Sequence, residues 1–351
     1  MPDLHVGLLY GGQSAEHDVS ILSARNVRVA LGDRYRVTPV YITRDGRWLV
    51  GDSSRLGSDA EAGTVATFTP EAGGRTVSAS GLGALGLDVV FPVLHGHNGE
   101  DGTIQGFLHT LGVPFVGPDV LASAACMDKV VAKRILGAAG LPGTPYAVVH
   151  AHGERPSFET LTERLTPPLF VKPANSGSSV GISRVTEAGE LADAFDEAFR
   201  YDKTVLVEQG VSGREIEVAV LGNEAPEASV PGEIVLNSAY YDYDSKYEDP
   251  DASRMEVPAD LPDATAARLR DAAVEAYAAL GCEGLARVDF FVTDGGDVLV
   301  NEINTIPGFT ARSMYPVMWE ATGRPFPDVV DELVRLALAR HERDRQRKTT
   351  R

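Results

Sequence analysis

The first 118 residues alternate between short apolar runs and amphipathic stretches. Each apolar run is bounded by turn-forming residues, a pattern that predicts buried strands. Strands that alternate with helices are typical of an α/β domain with a mainly parallel sheet. The stretch 51–86 is rich in Gly, Ser, Ala and Thr and predicts a loop or a weak hairpin. The predicted strands span residues 4–10, 37–42, 87–94 and 113–116.

An amphipathic pattern between the first two strands predicts a helix. At 100° per residue, Val19, Leu22, Val27 and Ala30 fall on one arc of roughly 140°. We expect this arc to face the sheet. Ser14 lies just before it and is a residue type that caps helix N-termini. A second, shorter helix is expected before the fourth strand.

From residue 118 onward, strand–loop–strand units lie between helices, which predicts an α+β arrangement. A helical segment is expected at 118–139, because it is followed by Gly-Leu-Pro-Gly at 140–143. Further strands are expected at 170–173, 180–185, 204–208, 215–221, 285–292 and 298–304, and further helices at 190–200, 268–280 and 328–340.

Composition and charge narrow the class of protein. Apolar residues make up 43% of the chain and charged residues 23%, which is globular composition. The formal net charge of −18 argues against nucleic acid or an anionic membrane as a partner. We expect no transmembrane helix and no signal peptide, and therefore a cytoplasmic protein. Cys126 and Cys282 lack metal-binding spacing and predict two buried free thiols.

Two short motifs are set aside on context. Residues 81–86 match the dinucleotide pattern G-x-G-x-x-G, but a strand-like segment follows where the motif needs a helix. No P-loop motif occurs. His95 and His97 lie beside Glu100 and Asp101, but catalytic-zinc spacing such as H-E-x-x-H is missing.

Four polar residues flank a diglycine turn near the C-terminus. A hairpin centred on 295–296 pairs Asp289 with Glu302 and Arg287 with Asn304, and places all four side chains on one face of the sheet. Two carboxylates, an amide oxygen and a guanidinium suit Mg²⁺ and a polyphosphate. The alternative is a solvated sheet face with an ion pair. The residues expected on the opposite, core face are Val288, Phe290, Leu299 and Ile303.

Three further segments carry candidate chemistry. The loop 172–181 offers Lys172 and many backbone N–H groups to a phosphate, although a plain turn has the same composition. Lys129 follows Met-Asp inside a helical segment, where a surface lysine is the simple alternative. Residues 240–250 combine tyrosines and acids around Lys246 and predict a lid over a site, or else a surface loop.

Taken in order, these segments resemble the D-alanine–D-alanine ligases, which are ATP-grasp enzymes of peptidoglycan precursor synthesis. The resemblance covers residues 4–340 and departs from the family pattern in the longer stretch 51–86 and in the turn His97-Asn98. The motifs that carry it lie at 11–20, 95–102, 127–129, 171–181, 241–247, 286–289 and 301–308.

The resemblance implies an ATP-grasp fold of three domains. These are an N-terminal α/β substrate domain at 1–118, a central subdomain with the phosphate loop at 119–213, and a C-terminal domain with the metal site and the lid at 214–351. It implies that one D-alanine carboxylate takes the γ-phosphoryl group of ATP to form a D-alanyl phosphate. The amine of a second D-alanine then displaces phosphate. A homodimer is also implied.

The resemblance further implies how metal ions and ATP are bound. It implies two Mg²⁺ ions, with Mn²⁺ as a substitute and a monovalent cation as a further ion. The metal ligands would be Asp289, Glu302 and Asn304. Glu208 would bind on the adenine side and Glu215 the ribose hydroxyls. The remaining residues assigned to ATP are Lys129, Lys172, Ser178, Ser179, Lys246 and Asn301.

The same resemblance assigns the substrate contacts. Glu16 would bind the first D-alanine ammonium with help from Ser178 and Tyr247, and His95 would lie nearby. Arg287 and the N–H of Gly308 would stabilise the oxyanion of the tetrahedral intermediate. Ser313 and Lys246 would bind the second D-alanine carboxylate, next to Met314. The Lys246-Tyr247 pair implies an amine as acceptor, hence D-alanyl-D-alanine and not D-alanyl-D-lactate.

Two other functions stay open at this point. One is an ATP-grasp ligase that joins different amino acids. The set that argues against it, because it suits small zwitterions, is Glu16, Lys246, Tyr247 and Ser313. The other is a nucleotide-binding regulatory protein without turnover, against which Arg287 argues, since binding alone needs no oxyanion stabiliser.

Overall fold

The computed structural model describes residues 4–50, 56, 63–70, 77–79, 85–236, 253–310 and 312–347. Within these ranges it is a mixed α/β protein built on four sheets. Among the helices of the described ranges, none is both long and apolar enough to cross a membrane.

The N-terminal part is an α/β layer around a five-stranded sheet of order β4-β3-β2-β1-β8. β1 pairs in parallel with β2 and β8, while β3 and β4 are antiparallel. The predicted mainly parallel core is confirmed. The elements are β1 (His5–Gly11), α1 (His17–Leu31), a 3₁₀ helix (Gly32–Arg34), β2 (Arg36–Ile42), β3 (Trp48–Val50), β4 (Thr64–Val65), β5 (Phe68–Pro70), β6 (Val77–Ala79), β7 (Leu85–Leu87), β8 (Val89–Val93) and α2 (Thr103–Leu111).

Two N-terminal predictions need correction. The stretch 113–116 is no full strand: it forms one parallel bridge, Val90 to Phe115. In the stretch 51–86, the described residues form β4 and the antiparallel sheet β5-β6-β7. Of the two predicted alternatives, a loop or a weak hairpin, the hairpin therefore describes this stretch better.

The central part is an antiparallel sheet of order β11-β10-β12-β9. Its hydrophobic cluster includes Leu169, Val171 and Phe195. The single helix predicted at 118–139 is two helices, because Asp128 leaves helical geometry and caps the second by accepting from the N–H groups of Val130 and Val131. The elements are α3 (Val120–Met127), α4 (Lys129–Ala138), β9 (Tyr146–His150), α5 (Phe158–Thr162), β10 (Leu169–Pro173), β11 (Ser183–Val185), a 3₁₀ helix (Ala188–Glu190), α6 (Leu191–Ala198) and β12 (Thr204–Gln209).

The C-terminal part is a sheet of order β16-β15-β13-β17-β18, with β14 paired to β13. The long strand β13 runs antiparallel to β17 over its whole length. The elements are β13 (Gly213–Gly222), β14 (Glu227–Ala228), β15 (Gly232–Leu236), β16 (Ser253–Glu256), α7 (Asp263–Ala279), β17 (Gly284–Thr293), β18 (Val298–Asn304), α8 (Met314–Ala321) and α9 (Phe326–Arg345).

One hydrophobic core joins the first and last parts of the chain. Leu8 and Phe91 of the N-terminal sheet share a cluster with Phe309, Trp319 and Leu333 of the C-terminal segment. Because this core is continuous, the loop after β18 is held against helix α1 and the end of β8. The predicted free thiols are confirmed, and their Sγ atoms lie 3.7 Å apart in the interior.

Helix α1 buries part of the predicted arc, at Val27 and Ala30, but not Leu22. Leu22 is 48% exposed, whereas Ser20 and Ser23 are fully buried. Ser20 accepts from the Gly11 N–H and donates to the Val93 carbonyl. Hydrogen bonds to the ends of the strands thus add to the apolar contacts that Ala24, Val27 and Ala30 make in the core. The helix begins at His17, and Ser14 instead accepts from the N–H of Glu16 two residues on.

Candidate active site

Alternate residues of three adjacent strands place charged side chains on one face of the C-terminal sheet. The Cα partners are Asp289 with Glu302 and Arg287 with Asn304 across β17 and β18, and Glu217 with Asp289 across β13 and β17. The cross-strand pairs predicted from the sequence are therefore confirmed. We call this set the polar sheet face; it comprises Glu215, Glu217, Arg287, Asp289, Glu302 and Asn304.

The hairpin that carries this face is not symmetric about its diglycine turn. Near the turn Val292 pairs with Val298 and Phe290 with Val300, one residue out of step with the predicted register. A bulge at Asn301 restores the register at Glu302. The prediction that Leu299 faces the core is therefore wrong: Val298 and Val300 are buried in the core cluster instead.

Arg287 is held by two carboxylates. Its Nε and Nη2 donate to Asp289 at 2.7 and 2.6 Å, and Nε lies 3.0 Å from Glu217 Oε2. Burial alone would lower the pKa of Arg287, but these two carboxylates raise it well above its usual value. The guanidinium therefore stays charged at the centre of the polar sheet face.

Glu302 faces a lysine from the central part of the chain. Lys129 Nζ lies 3.2 Å from Glu302 Oε2. This ammonium lowers the pKa of Glu302 to about 2, against the opposing effect of burial, and Lys172 and Arg287 act in the same direction. Glu302 is thus an anion at any ordinary pH, which is the state that a metal ligand needs.

The donor atoms of the polar sheet face fit a hard cation. Asp289, Glu302 and Asn304 supply carboxylate and amide oxygens, which Mg²⁺ prefers over nitrogen and sulfur. Asn304 Oδ1 accepts from the Ile306 N–H at 3.1 Å, a bond that fixes the amide. Glu215 lies two residues from Glu217 on β13, with Phe291 as its Cα partner, and so belongs to the same face.

A second charged cluster lies in the interior of the central sheet. Glu208 binds Lys172 through one oxygen and Lys133 through the other, the latter at 2.5 Å. Thr144 bridges Lys133 and Glu208 with two contacts of 3.1 Å. Burial would raise the pKa of Glu208, but the two ammonium groups outweigh it and lower that pKa. Lys172 is therefore held beside Glu208, at the foot of the glycine-rich loop.

The glycine-rich loop contains two consecutive serines in an unusual backbone conformation. Ser178 and Ser179 have φ of 50° and 60°, a left-handed conformation that is uncommon outside glycine. Lys129 donates to the Ser176 carbonyl at 2.7 Å and so connects this loop to Glu302. Within the loop, the Val180 N–H donates to the Gly177 carbonyl and the Ile182 N–H to the Ser179 carbonyl.

Glu16 meets the same loop from the N-terminal part of the chain. The Ser178 hydroxyl donates to Glu16 Oε1. A Cβ at Gly96, where φ is +71°, would lie 2.8 Å from Glu16 Oε2 and from Ser14 Oγ. Only glycine fits so close to that carboxylate. The predicted contact of Glu16 with Ser178 is thus present.

The loop after β18 lies between helix α1 and helix α8. His95, which is buried, contacts the Ile306 carbonyl at 3.0 Å through Nδ1 and Ser23 Oγ at 3.1 Å through Nε2. A Cβ at Gly308 would lie 2.7 Å from Ser313 Oγ, so these two predicted site residues are adjacent. The Met314 side chain is buried in the core, whereas Ser313, at the start of α8, accepts from the Thr310 N–H at 2.9 Å.

Two predicted residues cannot be placed. Lys246 and Tyr247, with the rest of the expected lid at 240–251, lie outside the described residues.

Two residues of this site were missed by sequence reasoning. Lys133 lies one helical turn after Lys129, so the i, i+4 spacing put both on one face of α4. Glu217 alternates with Glu215 along a strand whose other positions are apolar, and that period-two pattern marks the same face as Asp289.

Comparisons with known proteins agree over the full chain. Residues 5–118 match the family model described as D-ala D-ala ligase N-terminus, and residues 135–335 match D-ala D-ala ligase C-terminus. The chain is 47% identical to D-alanine–D-alanine ligase A of Chromobacterium violaceum, with 98% of each chain covered. It is 46% identical to D-alanine–D-alanine ligase A of Escherichia coli, with 100% of each covered.

Solved structures give the same result for the fold. The D-alanine-D-alanine ligase from Coxiella burnetii superposes with a TM-score of 0.89 at 38% identity, covering 99% of this chain and 97% of the other. The VanG D-Ala:D-Ser ligase from Enterococcus faecalis superposes with a TM-score of 0.86 at 35% identity, covering 95% of this chain and 99% of the other.

Proposed function

The chain belongs to the D-alanine–D-alanine ligase family, and we propose that the polar sheet face and the loops around it form its catalytic site. The protein is an ATP-dependent ligase that joins two D-alanine molecules into D-alanyl-D-alanine for peptidoglycan synthesis. One observation carries the assignment of the site: Asp289 and Glu302 lie opposite each other, with Lys129 beside Glu302.

The first step activates a poor electrophile. A carboxylate oxygen of the first D-alanine attacks the γ-phosphorus of ATP, ADP leaves, and a D-alanyl phosphate forms. Glu16 binds the ammonium of this substrate, with Ser178 and Tyr247 beside it. The position of Glu16, half-buried against Gly96 and bonded to Ser178 of the glycine-rich loop, supports this role.

The second step forms the amide bond. The amine of the second D-alanine, after losing a proton, attacks the carbonyl carbon of the acyl phosphate, and inorganic phosphate leaves. Arg287 and the Gly308 N–H stabilise the oxyanion that develops on the carbonyl oxygen. Ser313 and Lys246 bind the carboxylate of the second substrate next to Met314. His95 supports this end of the site through its contact with Ile306.

The nucleotide is bound between the central and C-terminal sheets. The phosphates are bound by three ammonium groups and two hydroxyls, which balance and hydrogen-bond the phosphate oxygens. These belong to Lys129, Lys172, Lys246, Ser178 and Ser179. Glu208 binds on the adenine side. Glu215 accepts from the ribose hydroxyls, since a carboxylate takes two such bonds well. Asn301, the bulge residue next to Glu302, is also assigned to the nucleotide.

The ATP-using family implies a divalent cation, and we assign two Mg²⁺ ions, or Mn²⁺ in their place, to Asp289, Glu302 and Asn304. When bound, these ions neutralise phosphate charge during transfer. A monovalent cation is a further proposed ion.

At the level of the whole molecule, we propose three domains at 1–118, 119–213 and 214–351, a homodimer, and a cytoplasmic location. The family-model boundaries at 118 and 135 support the first division. The reaction uses cytoplasmic ATP and a small soluble amino acid.

The experiment that tests this function measures phosphate release with ATP, Mg²⁺ and D-alanine, and identifies the product by mass. L-alanine serves as the stereochemical control. D-serine and D-lactate are offered as alternative acceptors at neutral pH. D-alanyl-D-alanine as the main product supports the proposal. Phosphate release at the same rate with and without D-alanine contradicts it, and so does a product made mainly with D-lactate.

A further inference from the structure

Ser23 is a fully buried polar residue that the reaction scheme above does not use. It lies on the inner face of helix α1, where a hydroxyl must find partners to offset the loss of water. Its Oγ accepts from the Phe309 N–H at 3.2 Å and lies 3.1 Å from His95 Nε2. A serine at this place therefore connects the N-terminal part of the chain to the loop after β18.

His95 extends this connection to a second point of the same loop. Its Nδ1 donates to the Ile306 carbonyl at 3.0 Å. With Nδ1 protonated, a neutral Nε2 accepts from the Ser23 hydroxyl, and a protonated Nε2 donates to it. The chain of hydrogen bonds from Phe309 to Ile306 is therefore complete in both protonation states. Asn26 adds a third bond, to the Phe309 carbonyl at 2.9 Å.

The anchored atoms flank the peptide group that carries the Gly308 N–H. The Ile306 carbonyl belongs to the peptide before it, and the Phe309 N–H to the peptide after it. Pro307 has a fixed φ, which removes one of the remaining rotations. Ser313 closes the space over the Gly308 Cα. With both neighbouring peptides held, the direction of the Gly308 N–H is set.

We propose that Ser23 is a positioning residue, which fixes the direction of the Gly308 N–H through His95 and the Phe309 main chain. This inference rests on the proposed function, in which that N–H stabilises the oxyanion. Preorganised donors are effective because they need no reorientation when charge develops. A loop free to turn its peptide would lose that advantage while still binding substrates.

The test is Ser23→Ala. It leaves the Phe309 N–H and His95 Nε2 without the hydroxyl and releases the loop. Complete loss of one oxyanion donor lowers kcat by about 10²–10³-fold, so misdirecting it should lower kcat by about tenfold. KM for ATP and for D-alanine should change little, because no contact with either is lost. Ser23→Thr, which restores the hydroxyl, should recover most of kcat.

The matched control is Ser229→Ala. Ser229 is also fully buried, and its hydroxyl also accepts one backbone N–H, from Ala219, and donates to one carbonyl, of Val230. It touches no residue of the loop 306–309 in these bonds. A comparable fall in melting temperature with normal kcat is expected. If Ser229→Ala loses as much kcat as Ser23→Ala, the effect is general destabilisation and the proposal fails.

Amide hydrogen exchange gives a readout that does not depend on turnover. In Ser23→Ala, the peptide covering 305–313 should exchange faster, while β13 and β17 stay as in the wild type. Unchanged exchange there, or wild-type kcat in a folded Ser23→Ala, overturns the proposal. A wild-type protein without D-alanine-dependent turnover contradicts the proposed function instead, and the exchange result then decides the anchoring role by itself.

Discussion

Asp289 and Glu302 are direct Cα partners in the antiparallel ladder between β17 and β18, with their side chains on the same face. Like charges directly opposite each other destabilise a sheet unless a cation lies near. Arg287 and Lys129 supply those cations. Such an arrangement contributes little to the free energy of unfolding. It is suited to a site where metal ions take over the countercharge that Arg287 and Lys129 provide.

Asp289→Asn and Glu302→Gln should each remove most turnover while the protein stays folded. Metal-assisted charge stabilisation is worth several kcal/mol, which corresponds to about a 100-fold or greater loss of kcat. The measurement is D-alanine-dependent phosphate release, with circular dichroism as the check on folding. Asp294→Asn, at the exposed turn of the same hairpin, is the control and should keep full activity. Near-wild-type rates in either ligand variant would remove the metal assignment.

Glu217→Gln should weaken the site although Glu217 is not itself a proposed ligand. Without this carboxylate, Asp289 alone balances the buried Arg287 and is held more tightly by it. Partners of this kind typically change metal affinity or activity by about 10–100-fold. Mn²⁺ binding in the presence of nucleotide, followed by electron paramagnetic resonance, measures the effect without turnover.

The control for Glu217 is Glu233→Gln. Glu233 is equally a buried carboxylate paired with an arginine, Arg214, at 2.5 Å. Its Cα partner is Ile216, a core residue, so it lies on the opposite face of the sheet. Equal losses of Mn²⁺ affinity in both variants would mean that Glu217 acts only through stability.

Lys133→Met should weaken ATP binding measured without D-alanine. Glu208 would then depend on Lys172 for its countercharge, and Lys172 would be less available to a phosphate. Breaking a buried pair should also lower the free energy of unfolding by about 3 kcal/mol. Calorimetric titration with ATP and thermal melting measure the two effects, with exposed Lys203→Met as the control. Unchanged ATP affinity would show that the Lys133 pair is structural.

His95 should make stability depend on pH near neutrality. Burial lowers its pKa, but the hydrogen bond and charge of Glu100, with the charge of Glu16, raise it above the usual 6.5. Because folding raises this pKa, His95 contributes its full share of the free energy of unfolding below pH 6.5. That contribution is lost as the pH rises through the pKa of the folded state. As the pH rises above 6.5, the melting temperature of the wild type should therefore fall more than that of His95→Gln. His97→Gln, on the exposed side of the same turn, should follow the wild type, and parallel curves for all three would refute the shift.

Period-two alternation explains why the polar sheet face could be predicted from the sequence. Any hairpin around the diglycine turn that keeps Asp289 and Glu302 in register must also align Arg287 with Asn304. The bulge at Asn301 could not be predicted, because it depends on how β18 packs rather than on a local pattern. It reversed the side on which Leu299 lies and left the four polar residues in place.

Helix α1 shows the opposite case. Its apolar residues suggested a buried arc through Leu22, and Val27 and Ala30 of that arc are buried. Leu22 is exposed, however, and Ser20 and Ser23 are buried instead, bonded to strand ends and to the loop after β18. Hydrogen bonds between residues almost 300 positions apart, such as Ser23 with Phe309, leave no periodic signal. The break at Asp128 was visible only as a residue type that favours helix caps.

The most direct test of the account uses D-alanine labelled with ¹⁸O in its carboxylate. If the site activates that carboxylate with the γ-phosphoryl group, the oxygen that attacks phosphorus leaves with the phosphate when the amide forms. One labelled oxygen per dipeptide should then appear in inorganic phosphate, and Asp289→Asn should abolish both products together. Dipeptide that keeps all its ¹⁸O, with unlabelled phosphate, would contradict the proposed chemistry.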